Sequence, residues 1–310
     1  MPFHALGEQI VSVKPIPVSS PGRGVDLQVR VTAPRSGTSL PVIVFSHGNA
    51  WSLDGYQPLV DRWAAAGFVV VQPTHLDSRR NAIGWEDPRF ATVWRVRIAD
   101  LHAVVDQIGE VLSLAGLETR ADSGRIAVVG HSWGAQTAGA LLGARVLDAE
   151  GAPGEDFSHP KVSAGALIAA AGAGDTLTPF AAEHLPFMRP DFSTMTAPAL
   201  VVAGGKDQSQ LSTRGPEWFT DAYHLSPSPK SLLTIAEAEH TMGGIAGERV
   251  AETTDEDPER VALLADAVAA YLRATFGLGD AEWAALGGGG SDGGGGGAEQ
   301  GEGGWSITGK

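Results

Sequence analysis

The chain contains no cysteine. That absence excludes disulfides, thiolate nucleophiles, thiolate-held metals and iron–sulfur clusters, so any catalysis must rest on oxygen or nitrogen groups. Positive charge is scarce: 22 Lys and Arg stand against 36 Asp and Glu, a formal net charge of −14. Without a Lys/Arg cluster there is no concentrated positive charge for a phosphate backbone, and nucleic acid is excluded as a partner. No run of 18 consecutive apolar residues occurs, so no membrane span is expected. Met1 to Ile10 lacks the basic start and apolar run of a signal peptide; a cytoplasmic location is expected, with secretion requiring a leader that has been removed.

What is present fits one large α/β domain, since a chain near 300 residues can bury roughly three quarters of its unfolded surface. Short, nearly continuous apolar runs at Leu40 to Ser46, Phe68 to Gln72, Arg125 to Gly130, Val162 to Ala170, Ala199 to Ala203 and Ser231 to Ile235 suit strands buried on both faces. Gln9 to Val18 and Val25 to Pro34 flank Ser19-Ser20-Pro21-Gly22 and predict an antiparallel hairpin. Helical patterns fall between the runs, at Tyr56 to Ala66, Arg89 to Leu114, Trp133 to Leu147, Glu217 to Leu225 and Glu259 to Phe276. Strands alternating with helices predict a mostly parallel sheet covered on both faces. The folded body is expected over residues 1–286. Of the 18 residues from Gly287 to Gly304, 12 are glycine, which reads as a flexible linker. Beyond it, residues 305–310 form a short tail, either disordered or docked back through Trp305 and Ile307.

Gly130-His131-Ser132-Trp133-Gly134 follows an apolar strand and precedes a small-residue helix, the setting in which G-x-S-x-G forms a sharp turn that exposes a nucleophilic serine. A lone serine is a weak nucleophile and needs a base, which in turn needs an orienting acid. The order serine, acid, histidine places both partners after later strands. Asp207 follows Ala199 to Ala203, and His240 follows Ser231 to Ile235, each just past a strand's C-terminal end. Asp175 is the alternative acid. For the oxyanion, one N–H is expected from Trp133 and another from the loop His47-Gly48-Asn49-Ala50-Trp51, with Asn49 chosen and Ala50 the fallback. His47 reads as a loop brace. Arg95 and Arg97 are expected to face acids such as Asp100.

Phe45-Ser46-His47-Gly48-Asn49, Leu59 to Val71, Arg95 to Asp100 and Gly130 to Gly134 together resemble α/β-hydrolase-fold serine esterases. The likeness is to the branch of platelet-activating-factor acetylhydrolases, chlorophyllases, dienelactone-hydrolase-like proteins and cutinase-like polyesterases, and it spans about residues 9–277. It implies an α/β-hydrolase fold and ester hydrolysis without a cofactor or metal, and no insertion is long enough to form a separate cap domain. It also supports Asn49, because the residue after His-Gly supplies an oxyanion N–H in that branch. Its acetylhydrolases carry the acid after the strand that follows the nucleophile helix. Here that segment, Ala164 to Ala171, holds no carboxylate, which favours Asp207 and disfavours a phospholipid substrate.

Gly172 to Ala197 carries Phe180, Phe187, Met188 and Phe192, and reads as a flap over an apolar pocket walled also by Trp51, Trp85 and Trp133, or as a loop anchored by its aromatics. The expected activity is serine-dependent hydrolysis of neutral carboxylic esters of short to medium chain, polyesters among them. Acyl transfer or perhydrolysis by the same triad, and ligand binding without catalysis, remain alternatives.

Overall fold

The computed structural model describes residues 9–84, 86–247, 250–288, 299–301 and 304–310. In chain order its strands are β1 (Ile10–Val18), β2 (Leu27–Pro34), β3 (Leu40–Ser46), β4 (Val69–Pro73), β5 (Ala121–His131), β6 (Arg145–Val146), β7 (Val162–Ile168), β8 (Pro190–Asp191), β9 (Ala199–Gly204), β10 (Lys230–Ile235), β11 (Glu299–Gly301) and β12 (Trp305–Gly309). Ten of them form one sheet in the order β1-β2-β4-β3-β5-β7-β9-β10-β12-β11, while β6 and β8 pair as a separate short ribbon. The pairings from β4 through β3, β5, β7 and β9 to β10 are all parallel, and β1 joins β2 antiparallel as the hairpin predicted. This is the α/β-hydrolase fold.

The continuous apolar runs explain the layering. Every residue of β3, β4 and β9 is buried, as expected when helices cover both faces. Helix α1 (Gln57–Ala65) packs on one face; α2 (Val93–Asp106) and α3 (Ile108–Leu114) follow, then α4 (Trp133–Leu141), which meets α2 on the other. The short α5 (Pro179–His184) and α6 (Asp221–His224) precede α7 (Pro258–Thr275), which packs against α1, and α8 (Ala281–Ala285). The pattern expected as one helix from Arg89 to Leu114 is broken at Gln107, between α2 and α3. Helix α4 ends six residues before Leu147 because Gly143 turns the chain at φ 104°, against the Thr194 carbonyl.

Parallel pairing has one consequence for chemistry: the loops after β3, β5, β9 and β10 all emerge at the same edge of the sheet, where open α/β sheets hold ligands. Those loops carry His47 to Trp51, Ser132, Asp207 and His240.

Most of the glycine-rich segment, residues 289–298, lies outside the described residues. Beyond it, Trp305 to Gly309 form β12, antiparallel to β10 from Ser231↔Gly309 to Ile235↔Trp305. The Ala236 N–H donates to the Gly304 carbonyl at 2.7 Å, Lys230 and Lys310 exchange backbone hydrogen bonds, and Ile307 is buried. An alternating apolar and polar pentapeptide therefore covers what would be an open strand edge. Deleting residues 287–310 removes this ladder and the burial of Ile307, worth ~1.5–3 kcal/mol for the side chain alone. The melting temperature is expected to fall by roughly 5–10 °C for a domain of this size. An unchanged transition in a thermal scan would mean that β12 contributes nothing to the fold.

Candidate active site

The serine of the pentapeptide sits on a strained turn. Ser132 links β5 to α4 with φ 56° and ψ −124°, a backbone state costing about 1–3 kcal/mol in a non-glycine residue and tolerated only where the surroundings enforce it. Its N–H donates to the Ile168 carbonyl at 2.9 Å. A Cβ at Gly130 would overlap the Gly134 carbonyl, and one at Gly134 would overlap the carbonyl oxygens of Ser46 and His47. Both glycines are dictated by backbone-to-backbone approach, which brings the elbow against the end of β3.

The Ser132 hydroxyl lies 2.9 Å from His240 Nε2, and His240 Nδ1 lies 2.9 and 3.1 Å from the two oxygens of Asp207. With the carboxylate able only to accept, Nδ1 carries the proton and Nε2 is free to take the one on Ser132. Asp207 is fully buried, while the His240 side chain is partly open to solvent. The loops that carry Asp207 and His240 interlock: Gly205 N–H donates to the Ile235 carbonyl and Lys206 N–H to that of Ala238, at 2.8 and 2.9 Å. Any Cβ at Gly204 or Gly205 would strike the backbone of the His240 loop. That loop is fastened by Asp255, which accepts from the Glu239 N–H, the Thr241 hydroxyl and Arg260. Asp175, the alternative acid, sits exposed on a 3-10 turn at Gly174–Thr176 and makes no contact with His240.

The loop after β3 lies against the nucleophile, where a Cβ on Gly48 would come 3.6 Å from Ser132 Cβ. The Gly48 N–H donates to Tyr56 Oη at 3.0 Å and the Ala50 N–H to Asp77 at 3.1 Å. The fallback donor Ala50 is thus already engaged, whereas the N–H groups of Asn49 and Trp133 have no partner among the described residues. His47 is a brace: its Nδ1–H donates to the Gly48 carbonyl at 2.7 Å, and its Nε2 accepts from the His75 N–H at 3.0 Å.

Beneath this loop runs a buried polar network. Arg97, fully buried, donates to both oxygens of Asp77, to the His47 carbonyl and to the Thr137 hydroxyl, and its guanidinium lies 5.0 Å from the centre of the Trp133 ring. It therefore clamps together the two segments that carry the free N–H groups. Both arginines face acids as expected, but neither pairs with Asp100. Arg97 pairs with Asp77 and Arg95 with Glu155, while Asp100 takes Arg23 and His75. Asp100 stands one helical turn after Arg97, the nearest acid in sequence, but α2 directs the guanidinium toward the loop after β3. Ser46 Oγ, His75 Nε2, His75 Nδ1 and Asp100 form a second serine–histidine–aspartate chain at 2.9 and 3.0 Å, with all three side chains inaccessible to solvent. Burial makes this chain a support for the end of β3.

Charge follows burial. Desolvation holds His47 and His75 well below the ordinary imidazole range and His131 down to about 3, so all three are neutral when folded. Burial pushes Asp77 up, but the Arg97 guanidinium overcomes it and holds the carboxyl at about 2. Burial raises Asp100 to about 6 despite its bonds to Arg23. Depressed imidazoles contribute stability that is complete above the unfolded value of 6.5 and lost as pH falls toward the folded values. Asp100 works in the opposite sense between its ordinary 3.8 and about 6. Three depressed imidazoles outnumber one raised carboxyl, so stability is expected to fall as pH drops from about 6.5 into the acid range. Urea denaturation at stepped pH measures this slope, and a flat profile across that window would contradict it.

The expected pocket residues are spread widely. Trp51 is half-buried with its ring edge-on to Tyr56 at 5.7 Å. Phe187 and Met188 are buried, and Phe187 stacks on Trp133 at 5.4 Å and on Trp94 at 6.3 Å, anchoring the segment after α5 to the elbow. Phe180 is 52% exposed on α5 and stacks on His184. Trp85 lies outside the described residues. Sequence reasoning missed Tyr56, Asp77 and Phe219, whose ring packs 5.7 Å from that of His240. None carries a spacing signal, because each reaches the site from a different loop. Among the described residues no group of three or more His, Asp or Glu side chains could hold a metal ion, and no helix is long and apolar enough to cross a membrane.

Residues 3–149, which include the loop after β3 and the serine elbow but neither Asp207 nor His240, match the chlorophyllase family model. No curated protein matches the chain.

Proposed function

We propose that this α/β hydrolase, whose N-terminal half is similar to chlorophyllases, is a serine-dependent carboxylic ester hydrolase that works through an acyl-enzyme. The observation that carries the reading is the aligned chain from Ser132 Oγ through His240 to buried Asp207, with each link at 2.9 Å. Ser132 Oγ attacks the ester carbonyl carbon while His240 Nε2 takes its proton, and Asp207 holds the ring and balances the imidazolium. The oxyanion is received by the N–H groups of Asn49 and Trp133. Collapse breaks the bond to the alkoxy oxygen, His240 returns the proton to the departing alcohol, and a water activated by the same imidazole releases the acid.

The substrate is a neutral ester of short to medium chain, polyesters among them. Arg97, the arginine packed on Trp133, is taken up by Asp77, the His47 carbonyl and the Thr137 hydroxyl, so it is not available to pair with a substrate carboxylate. Trp51 and Phe180 supply apolar surface for the acyl or alcohol group. Phe187 and Met188 shape that surface from behind.

Hydrolysis of p-nitrophenyl esters from acetate to palmitate tests the proposal. Turnover is expected to peak at short to medium chain. An enzyme that turns over none of these esters, or prefers palmitate, would contradict the reading.

A further inference from the structure

We propose that the Tyr56 hydroxyl and the His131 imidazole form a strut that keeps the oxyanion loop and the base loop in register, which makes Tyr56 a positioning residue for the reaction proposed above. The inference rests on that reading of the site. It starts from the contacts of two buried side chains that the triad does not use.

Tyr56 Oη lies 3.0 Å from the Gly48 nitrogen and 2.8 Å from His131 Nδ1, and His131 Nε2 lies 2.8 Å from the His240 carbonyl oxygen. Only one arrangement of protons fits these contacts. The Gly48 N–H can only donate, so the tyrosine oxygen accepts it. The tyrosine proton then points to His131 Nδ1, which leaves the imidazole hydrogen on Nε2, where it donates to the carbonyl of the catalytic histidine. One directional chain thus runs from the residue before Asn49 to His240 itself. Burial keeps His131 neutral, so the chain persists across the working pH range.

The backbone of Tyr56 makes the same connection a second time. Its N–H donates to the Ala246 carbonyl at 2.9 Å, beyond His240 on the base loop, and its φ of 66° turns the chain into α1 at that point. Tyr56 is fully inaccessible and rests 4.9 Å from the Phe45 ring, so its hydroxyl has a fixed origin in the core. Gly48 leaves room for it, since a Cβ there would stand 2.8 Å from Tyr56 Oη and 3.3 Å from His131 Nδ1. Nothing in the strut touches the expected position of substrate. Its loss should disturb the alignment of Asn49 N–H with His240 and leave ground-state binding alone.

The test compares Tyr56→Phe, His131→Phe and the double variant with the unmodified chain in ester hydrolysis. Inhibition by a boronic acid that mimics the tetrahedral intermediate is measured alongside. Tyr56→Phe keeps the ring and removes one oxygen. It is expected to lower kcat by ~10–100-fold with KM within about threefold, and to weaken the boronic acid by the same factor as kcat/KM. The double variant should lose little more than the worse single one, because both break one strut. His131→Phe keeps the claim testable if Tyr56→Phe does not fold. A Tyr56→Phe enzyme with unmodified kcat overturns the inference, as does one in which KM alone rises. Ser132→Ala in the same assay separates the two readings. If it is inactive while Tyr56→Phe is fully active, the strut fails and the serine mechanism stands; if it retains full activity, the serine mechanism itself fails.

Discussion

Ser132→Ala is expected to lower kcat for ester hydrolysis by ~10⁴–10⁶-fold, with His240→Ala matching it and the double variant losing no more than either, because triad members act as a unit. The geometry gives the reason. In the proposed mechanism the hydroxyl bonds to the carbonyl carbon, and the imidazole that takes its proton stands 2.9 Å away. Asp207→Asn should cost ~10⁴-fold, since an amide turned toward His240 Nδ1 favours the wrong tautomer. Asp175→Asn should change nothing, as that carboxylate is exposed and remote from the imidazole. These losses should appear without a fall in melting temperature. Initial-rate kinetics beside thermal unfolding reads both quantities. A Ser132→Ala protein that keeps its rate would remove the serine from the mechanism.

Gly134→Ala has the largest expected effect on folding. The added Cβ would coincide with the carbonyl oxygens of Ser46 and His47, and backbone atoms cannot rotate aside. Helix α4 would have to lift from β3, and with it Ala135 and Ala138, both completely buried. A loss above ~4 kcal/mol is expected, in the range reserved for named structural faults. For a chain of this size that is a fall in melting temperature of more than ~10 °C, or failure to accumulate as folded protein. Gly139→Ala on the same helix provides the contrast. There the new methyl would meet Ala144 and Leu167 at 3.8 Å, ordinary contact distance, and alanine is the better helix former by ~1 kcal/mol. That variant should be as stable as the original or more so. Urea unfolding of the pair measures the difference, and equal stabilities would show that the backbone approach at Gly134 is not a constraint.

The contrast between these two glycines also marks what a sequence reading can reach. Gly130 and Gly134 are legible because a turn that doubles back on itself needs them at fixed spacing around the serine, and the flanking strand and helix announce the turn. The parallel sheet is legible for a similar local reason: runs such as Leu40 to Ser46 have no polar face to offer water. His240 and Asp207 follow from one step more, since a parallel sheet sends its strand ends to one edge. The rest of the site is built from contacts between residues far apart in the chain. Arg97 reaches Asp77 across 20 residues, and Tyr56 reaches His131 across 75. No periodicity encodes such contacts, and in the case of Arg97 the local cue at Asp100 points the wrong way. β12 is legible only in part: its apolar–polar alternation reads as a short strand, but its pairing with the distant β10 has no local signal.

The aromatic segment after β7 shows the limit differently. Phe187 and Met188 carry the composition of a ligand wall, yet they are buried against the elbow, while Phe180 faces outward. Composition gives the same signal for a residue that lines a cleft and for one that fastens a loop. Only the direction of the backbone distinguishes them.

The most direct test of the central claim is reaction of the protein with a fluorophosphonate, followed by mass spectrometry of its peptides. A serine activated as described should be phosphonylated, and the adduct should fall on Ser132 and disappear in His240→Ala. The buried chain through Ser46, His75 and Asp100 serves as an internal control, having triad distances but no access. An adduct confined to Ser132 is the predicted result; an adduct on Ser46 or elsewhere, or one on Ser132 that survives the loss of His240, would contradict it.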